Sequence, residues 1–200
     1  MKFICLFSCL LLMSITLWGQ QIKSWTEADR KVLLDNFART KAEINKETVA
    51  LTSAQWNFRE APGKWTIGEV LEHLYNWSLI TQQNVRYSFF LGENIDLAKR
   101  SLSDSAVTTF IYEQRPHVSP EHTIPTGLIT DGNNLKIFNV KYDEIINAIK
   151  ISNKNFRLYF RPFDSNYQED VVQQYIIHYG HVDRHLRQIR RIKSHPDFPK

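Results

Sequence analysis

Four stretches of this chain repeat apolar residues at helical spacing, and no segment between them alternates as a half-buried strand must. Val32, Leu33, Phe37, Ile44 and Val49 mark the first, from Thr26 to about Leu51. The second opens at Thr66-Ile67-Gly68-Glu69. There the threonine oxygen can accept from the N3 amide while the glutamate reaches back to the threonine amide. It runs to about Leu91, with Gly92 as its stop. Val140, Ile145, Ile146, Ile149 and Phe156 form a third stripe, in a helix expected from about Leu135 or Phe138 to Phe160 and ended by Arg161-Pro162. The fourth starts near Gln168, carries Val171, Val172, Tyr175, Ile176, Val182, Leu186 and Ile189, and cannot pass Pro196. Amphipathic helices bury their stripes against one another. The pattern therefore predicts an all-α fold, a four-helix bundle of the up-down type with one long crossover connection.

The crossover is the stretch 93–134, where Pro116, Pro120, Pro125, Gly127 and Gly132 forbid a long regular element. A helical extension is expected at its start and an irregular path after it. Connections of that length in a compact domain are commonly functional. Arg115-Pro116-His117 and Glu121-His122 carry polar side chains suited to the rim of a site.

The N-terminus reads as a targeting segment. Lys2 is followed by an apolar run from Phe3 to Trp18, then by the small Gly19 and an abrupt return to polarity at Gln20 and Gln21. That is a secretory signal peptide pattern, with cleavage expected near Gly19 and a secreted or periplasmic product. A lipoprotein reading of Leu6-Phe7-Ser8-Cys9 is weaker, because Phe7 is bulky and the apolar run continues past Cys9. The remaining chain, 20–200, is about 180 residues, enough for one domain with a real core. Both cysteines, Cys5 and Cys9, fall in the leader, so a mature chain has neither disulfide nor thiolate chemistry. The net charge of +4 is small. Its densest basic run, Arg184, Arg187, Arg190, Arg191 and Lys193, reads as a solvated helix face and not as a nucleic-acid surface. No membrane attachment is expected once the leader is removed.

Three histidines lie in the fourth helix. Residues four apart stand one above the other, so His181 and His185 can present two imidazoles to one ion. Neutral imidazole binds zinc, nickel or iron, and a third ligand must come from a facing helix. His73, two turns into the second helix and flanked by Val70, Leu71 and Leu74, is the best candidate. His178 shares much of the same face and is a candidate fourth ligand, second layer or core residue. Gln188, three residues past His185, can orient a ligand or a bound water, and Arg184 can meet an anionic substrate at the rim. Spacing alone leaves the bland reading open, since a histidine on an apolar face is more often a hydrogen-bonded core residue.

Two segments resemble the DinB-like family, whose members are four-helix bundles with a metal site of three histidines. One runs from Leu51-Thr52-Ser53-Ala54-Gln55-Trp56 through Pro62-Gly63-Lys64-Trp65-Thr66-Ile67-Gly68-Glu69-Val70-Leu71-Glu72-His73-Leu74, and the other is His181-Val182-Asp183-Arg184-His185-Leu186-Arg187-Gln188-Ile189. The resemblance implies that His73, His181 and His185 hold a divalent metal ion, typically zinc or nickel, with water completing the shell. It also implies a metal-dependent hydrolase or transferase acting on a small-molecule substrate, with a homodimer as a candidate assembly. Relatives include thiol transferases and a thiol-dependent isomerase. A signal peptide would remove this chain from the cytoplasmic thiols they use. The alternative is a non-catalytic bundle in which the metal fastens helices or holds a ligand. Asp183 and Glu72 neighbour the ligands in sequence but point away from them on a helix, so neither is a strong candidate base. His117 and His122 are candidates to reach over from the crossover.

Overall fold

Side-chain caps set where the helices begin. The structure, a computed structural model, describes residues 22–113, 118–130, 132–161 and 168–200. The expected signal peptide and the Arg115-Pro116-His117 segment lie outside the described residues. Thr26 and Asp29 form a reciprocal capping box that opens α1 (Glu27–Thr48). Thr52 and Gln55 do the same for the short α2 (Ser53–Trp56), and Thr66 and Glu69 for α3 (Ile67–Leu91). Gly92 ends α3 with φ of 86°, a conformation that glycine adopts without a Cβ penalty. The crossover contains α4 (Ile95–Ala98) and α5 (Asp104–Tyr112), followed by a 3-10 turn at Glu121–Thr123. Then come α6 (Asn133–Ile151) and α7 (Val171–Lys193), the latter opened by an Asp170–Gln173 capping box.

Two sequence expectations are corrected. The third long helix stops at Ile151 and not at Phe160. Ser152 turns the backbone to ψ of 133°, and the Asn155 side chain accepts from the Arg157 amide to start a separate 3-10 turn, Phe156–Leu158. Serine and asparagine offer the backbone local hydrogen bonds that compete with helix, and an apolar stripe does not report them. The crossover is also more regular than expected, because α5 is a capped helix of nine residues. The described residues contain no β-strand, only an isolated bridge between Phe160 and Asp170. No helix among them is long and apolar enough to cross a membrane.

Interhelical hydrogen bonds give the direction of each element. Lys41 meets Asp143 and Asn45 meets Asn139, so α1 and α6 are antiparallel. Thr81 meets His178 and Ser88 meets Gln174, so α3 and α7 are antiparallel as well. By contrast Gly68 meets Asn134 and Gln82 meets Glu144, which makes α3 and α6 parallel neighbours. Going round the bundle the order is α1, α6, α3, α7, with α1 and α3 diagonal to each other. A parallel pair cannot be joined by a tight turn. The chain leaving α3 must return the full helix length, about 1.5 Å per residue, before α6 can start. That return is the crossover, and its path carries it over the middle of α3 and α7. Gly180 seats it: a Cβ built there would fall 2.8 Å from Ile111 Cγ2, so only glycine lets α5 lie this close to α7.

The core gathers Phe37, Phe138, Tyr142, Ile145, Leu71 and Leu186, all essentially without solvent exposure. A buried hydroxyl pair within it, Thr40 Oγ1 and Tyr142 Oη, is hydrogen-bonded at 2.7 Å, as burial in an apolar surround requires.

Candidate metal centre

His73 from α3 and His181 and His185 from α7 converge, with one nitrogen of each lying within 4.8 Å of the others. The register of two antiparallel helices produces this: one turn of α7 stacks its two imidazoles, and α3 supplies the third across the interface. The second nitrogen of two rings is already committed. His73 Nδ1 donates to the Thr123 carbonyl at 2.8 Å, and His185 Nδ1 donates to Gln188 Oε1 at 2.8 Å. A carbonyl oxygen only accepts, so Nδ1 of each carries the proton and Nε2 is left as a lone pair. His73 Nε2 lies 2.9 Å from His181 Nε2. Two such nitrogens must share a proton or a cation.

Burial decides between charge states. It lowers the pKa of His73, and it lowers His181 well below its ordinary value with neighbouring His185 and His73 adding to the effect. His185 is pushed down to about 3 by burial and then by His73. Three neutral imidazoles, two of them with their outer nitrogens tied off, are the donor set that a borderline divalent cation takes. Nitrogens bound to zinc at about 2.0–2.1 Å lie within about 4 Å of one another, so small side-chain rotations close the set. The chemistry of the donors fits the implied ion.

Gln188 apart, the second layer has no signature in the sequence. Glu72, 3% exposed, turns away from the histidines and accepts from the Thr126 amide at 2.8 Å, the Thr126 hydroxyl, and the Gly127 amide at 2.9 Å. Neighbouring residues of α3 thus hold the crossover at two points, Glu72 at residues 126 and 127 and His73 at the Thr123 carbonyl. Aromatic rings cover the imidazole faces. Trp65 lies 4.9 Å from His73 between ring centroids, and Trp77 stacks on His181 at 4.7 Å. Trp65 belongs to the segment that opens α3, but a backbone carbonyl such as that of Thr123 has no sequence signature at all.

A cavity of about 710 Å³ opens over the three histidines. Gln188 and Arg184 both line it. Asp183 does not; it accepts two bonds from Arg39, both 2.8 Å, and one from the Tyr112 hydroxyl, which pins α5 to α1 and α7. His122 is exposed and outside the cavity lining, and His117 lies outside the described residues.

His178 sits elsewhere. It is fully buried, stacked on Phe37 at 5.6 Å, with Nδ1 3.1 Å from Thr81 Oγ1 and Nε2 3.4 Å from Ser78 Oγ. Burial pushes its pKa down to about 3. An unfolded chain takes up that proton near the ordinary value of about 6.5. The stabilisation is therefore complete above that pH and is lost as pH falls toward 3, at about 1.4 kcal/mol per pH unit for this one group. Urea unfolding between pH 7 and 5, at fixed metal content, should give a shallower loss for His178→Gln than for the wild type. Equal slopes would show that His178 is protonated in the fold.

Comparison with known proteins gives two findings. The family model described as the DinB superfamily matches residues 36–189. Among solved structures the chain is similar to YfiT from Bacillus subtilis, described as a probable metal-dependent hydrolase with an unusual four-helix bundle topology. The TM-score is 0.51 at 12% identity, covering 87% of this chain and 91% of that one, a likeness of fold. No curated protein sequence matches.

Proposed function

This chain belongs to the DinB superfamily, and from that premise we propose that it binds one divalent ion, zinc or nickel, on His73, His181 and His185 and acts as a metal-dependent hydrolase or transferase on a small molecule. The observation that carries the reading is the convergence of three neutral imidazoles, His73 and His185 buried and His181 half-buried, on the floor of a cavity, two of them with their far nitrogens tied off. His73, His181 and His185 would hold the ion, which would supply a double positive charge able to acidify water or polarise a substrate carbonyl, phosphoryl or thiol.

The chain's own residues orient and shield. Thr123 and Gln188 fix two ring orientations, and Trp65 and Trp77 keep solvent off the imidazole faces. His178, bonded to hydroxyls of α3, is turned to a different environment, which supports an open three-histidine site. YfiT, with the same fold, is described as a probable metal-dependent hydrolase, and this adds support for that reaction class.

Metal analysis of untagged protein tests the reading. Near-stoichiometric zinc or nickel is expected, absent from His73→Ala and His185→Ala. Folded wild-type protein that carries and takes up no divalent metal would refute it. One observation favours a second reading, ligand binding without turnover. Glu169 is the only carboxylate lining the cavity among the described residues, and it is paired with Arg161 at 3.3 Å, so no side chain stands ready as a general base.

We place the protein outside the cytoplasm, on the strength of Lys2, the apolar run from Phe3 to Trp18, and Gly19. Export would separate it from low-molecular-weight thiols and favours hydrolysis over thiol transfer.

A further inference from the structure

Two surface properties that are usually scattered meet at the mouth of this one cavity. The first is charge. Among the described residues, Lys64, Arg184, Arg191 and Arg161 line it against a single carboxylate, Glu169, which Arg161 already engages. Arg191 is held in place from outside the cavity by two bonds to Glu60, at 3.2 and 3.0 Å. The Lys64 ammonium has no ion-pair partner among the described residues. Arg184 lines the same mouth, three residues before Arg187 on α7. The three histidines add no negative charge, and a bound divalent ion would add positive charge. Such a cavity attracts anions and repels cations.

The second property is apolar exposure. Val118 is 97% exposed, Phe110 53% and Ile124 48%, and all three come from the crossover and line the same cavity. Trp65, Ile111 and Ile177 continue that lining inward. Large apolar side chains exposed together around a concave site mark a place where a ligand's apolar body is covered. A volume of about 710 Å³ is far more than a small hydrophilic anion needs. We infer that the ligand of this site is an amphipathic anion, a carboxylate or similar acid carried on an extended or cyclic apolar body. Its head group would lie among Lys64, Arg184 and Arg191 and its body against Phe110, Val118 and Ile124. The inference rests on the metal-site reading for the position of the reacting end, and on the cavity lining for the chemistry of the rest.

Calorimetric titration of metal-loaded protein with a matched set of probes tests it: octanoate, octanamide, octylammonium and acetate. Octanoate should bind at least about tenfold more tightly than octanamide or acetate, the discrimination of one charge-assisted contact and one buried chain respectively, and octylammonium should not bind. A carboxylate can also meet the ion directly, so the variants decide. Lys64→Glu and Arg184→Glu should each weaken octanoate by about tenfold with little change for octanamide, whereas Phe110→Ser should weaken both alike. Octanamide binding as tightly as octanoate, or octanoate indifferent to both charge reversals, would overturn the inference. Zinc content measured on the same samples separates the two claims. Zinc-loaded protein that fails to discriminate among the probes defeats only this inference. Protein that discriminates but takes up no metal defeats only the metal reading.

Discussion

Arg157→Met should destabilise the protein by about 3–5 kcal/mol, the range for breaking a buried ion cluster by removing one partner. Arg157, 4% exposed, holds three carboxylates at once: Asp104 at 2.6 and 2.9 Å, Asp170 at 3.1 Å and Asp29 at 3.1 Å. Each carboxylate stands in the cap or first turn of a different helix, α5, α7 and α1, where the exposed amides favour a negative charge. Three acids brought together need a shared cation. Burial raises the Asp170 carboxyl pKa even with Arg157 beside it, so losing the guanidinium leaves a 1% exposed acid with no counter-charge. Urea unfolding at neutral pH measures the loss. Adding Asp170→Asn and Asp104→Asn to the variant should recover part of it by removing the stranded charges. A loss below about 1 kcal/mol would mean that the cluster behaves as an exposed one.

At the proposed metal site, Glu72→Gln should weaken the binding of added zinc by about 10–100-fold, although Glu72 touches no histidine. Its carboxylate has acceptors only, and it meets three donors of the crossover. A glutamine amide would turn one N–H group against a backbone N–H. The segment freed in this way includes Thr123, whose carbonyl fixes the His73 tautomer. Competition against a chromophoric chelator, corrected for the folded fraction, reads the effect. If the affinity per folded molecule is unchanged, Glu72 supports the fold and does not position His73.

How much was legible follows the range of the interactions. Thr66 and Glu69 cap α3 as their spacing says, and Gly92 ends it, because capping is decided within four residues. The stretch from Ser152 to Phe160 reads as helix in the sequence because Phe156 continues the α6 stripe. The local bond from Asn155 to the Arg157 amide overrides that stripe, and Phe156 reaches the core from a separate turn. The helix α5 was hidden inside a proline-bearing connection whose later residues dominated its pattern. Its position is set by contacts of long sequence separation: Tyr112 with Asp183, and Ile111 against Gly180.

The three histidines divide along the same line. Helical periodicity alone fixes that His181 and His185 share a face, since 3.6 residues per turn is a property of the backbone and needs no partner. It fixes equally that Glu72 and His73 cannot point the same way. Where each then points is a tertiary matter. The parallel course of α3 and α6 forces the long return of the chain, and that return brings the Thr123 carbonyl to His73, the Thr126 and Gly127 amides to Glu72, and an apolar rim to a basic cavity. His178 lies on nearly the same side of α7 as His185, yet the packing of α1 and α3 buries it against Phe37, Ser78 and Thr81. A sequence states which side chains share a face; only the packed bundle, through burial and the partners it supplies, decides which of them converge with His73 and which meet a hydroxyl.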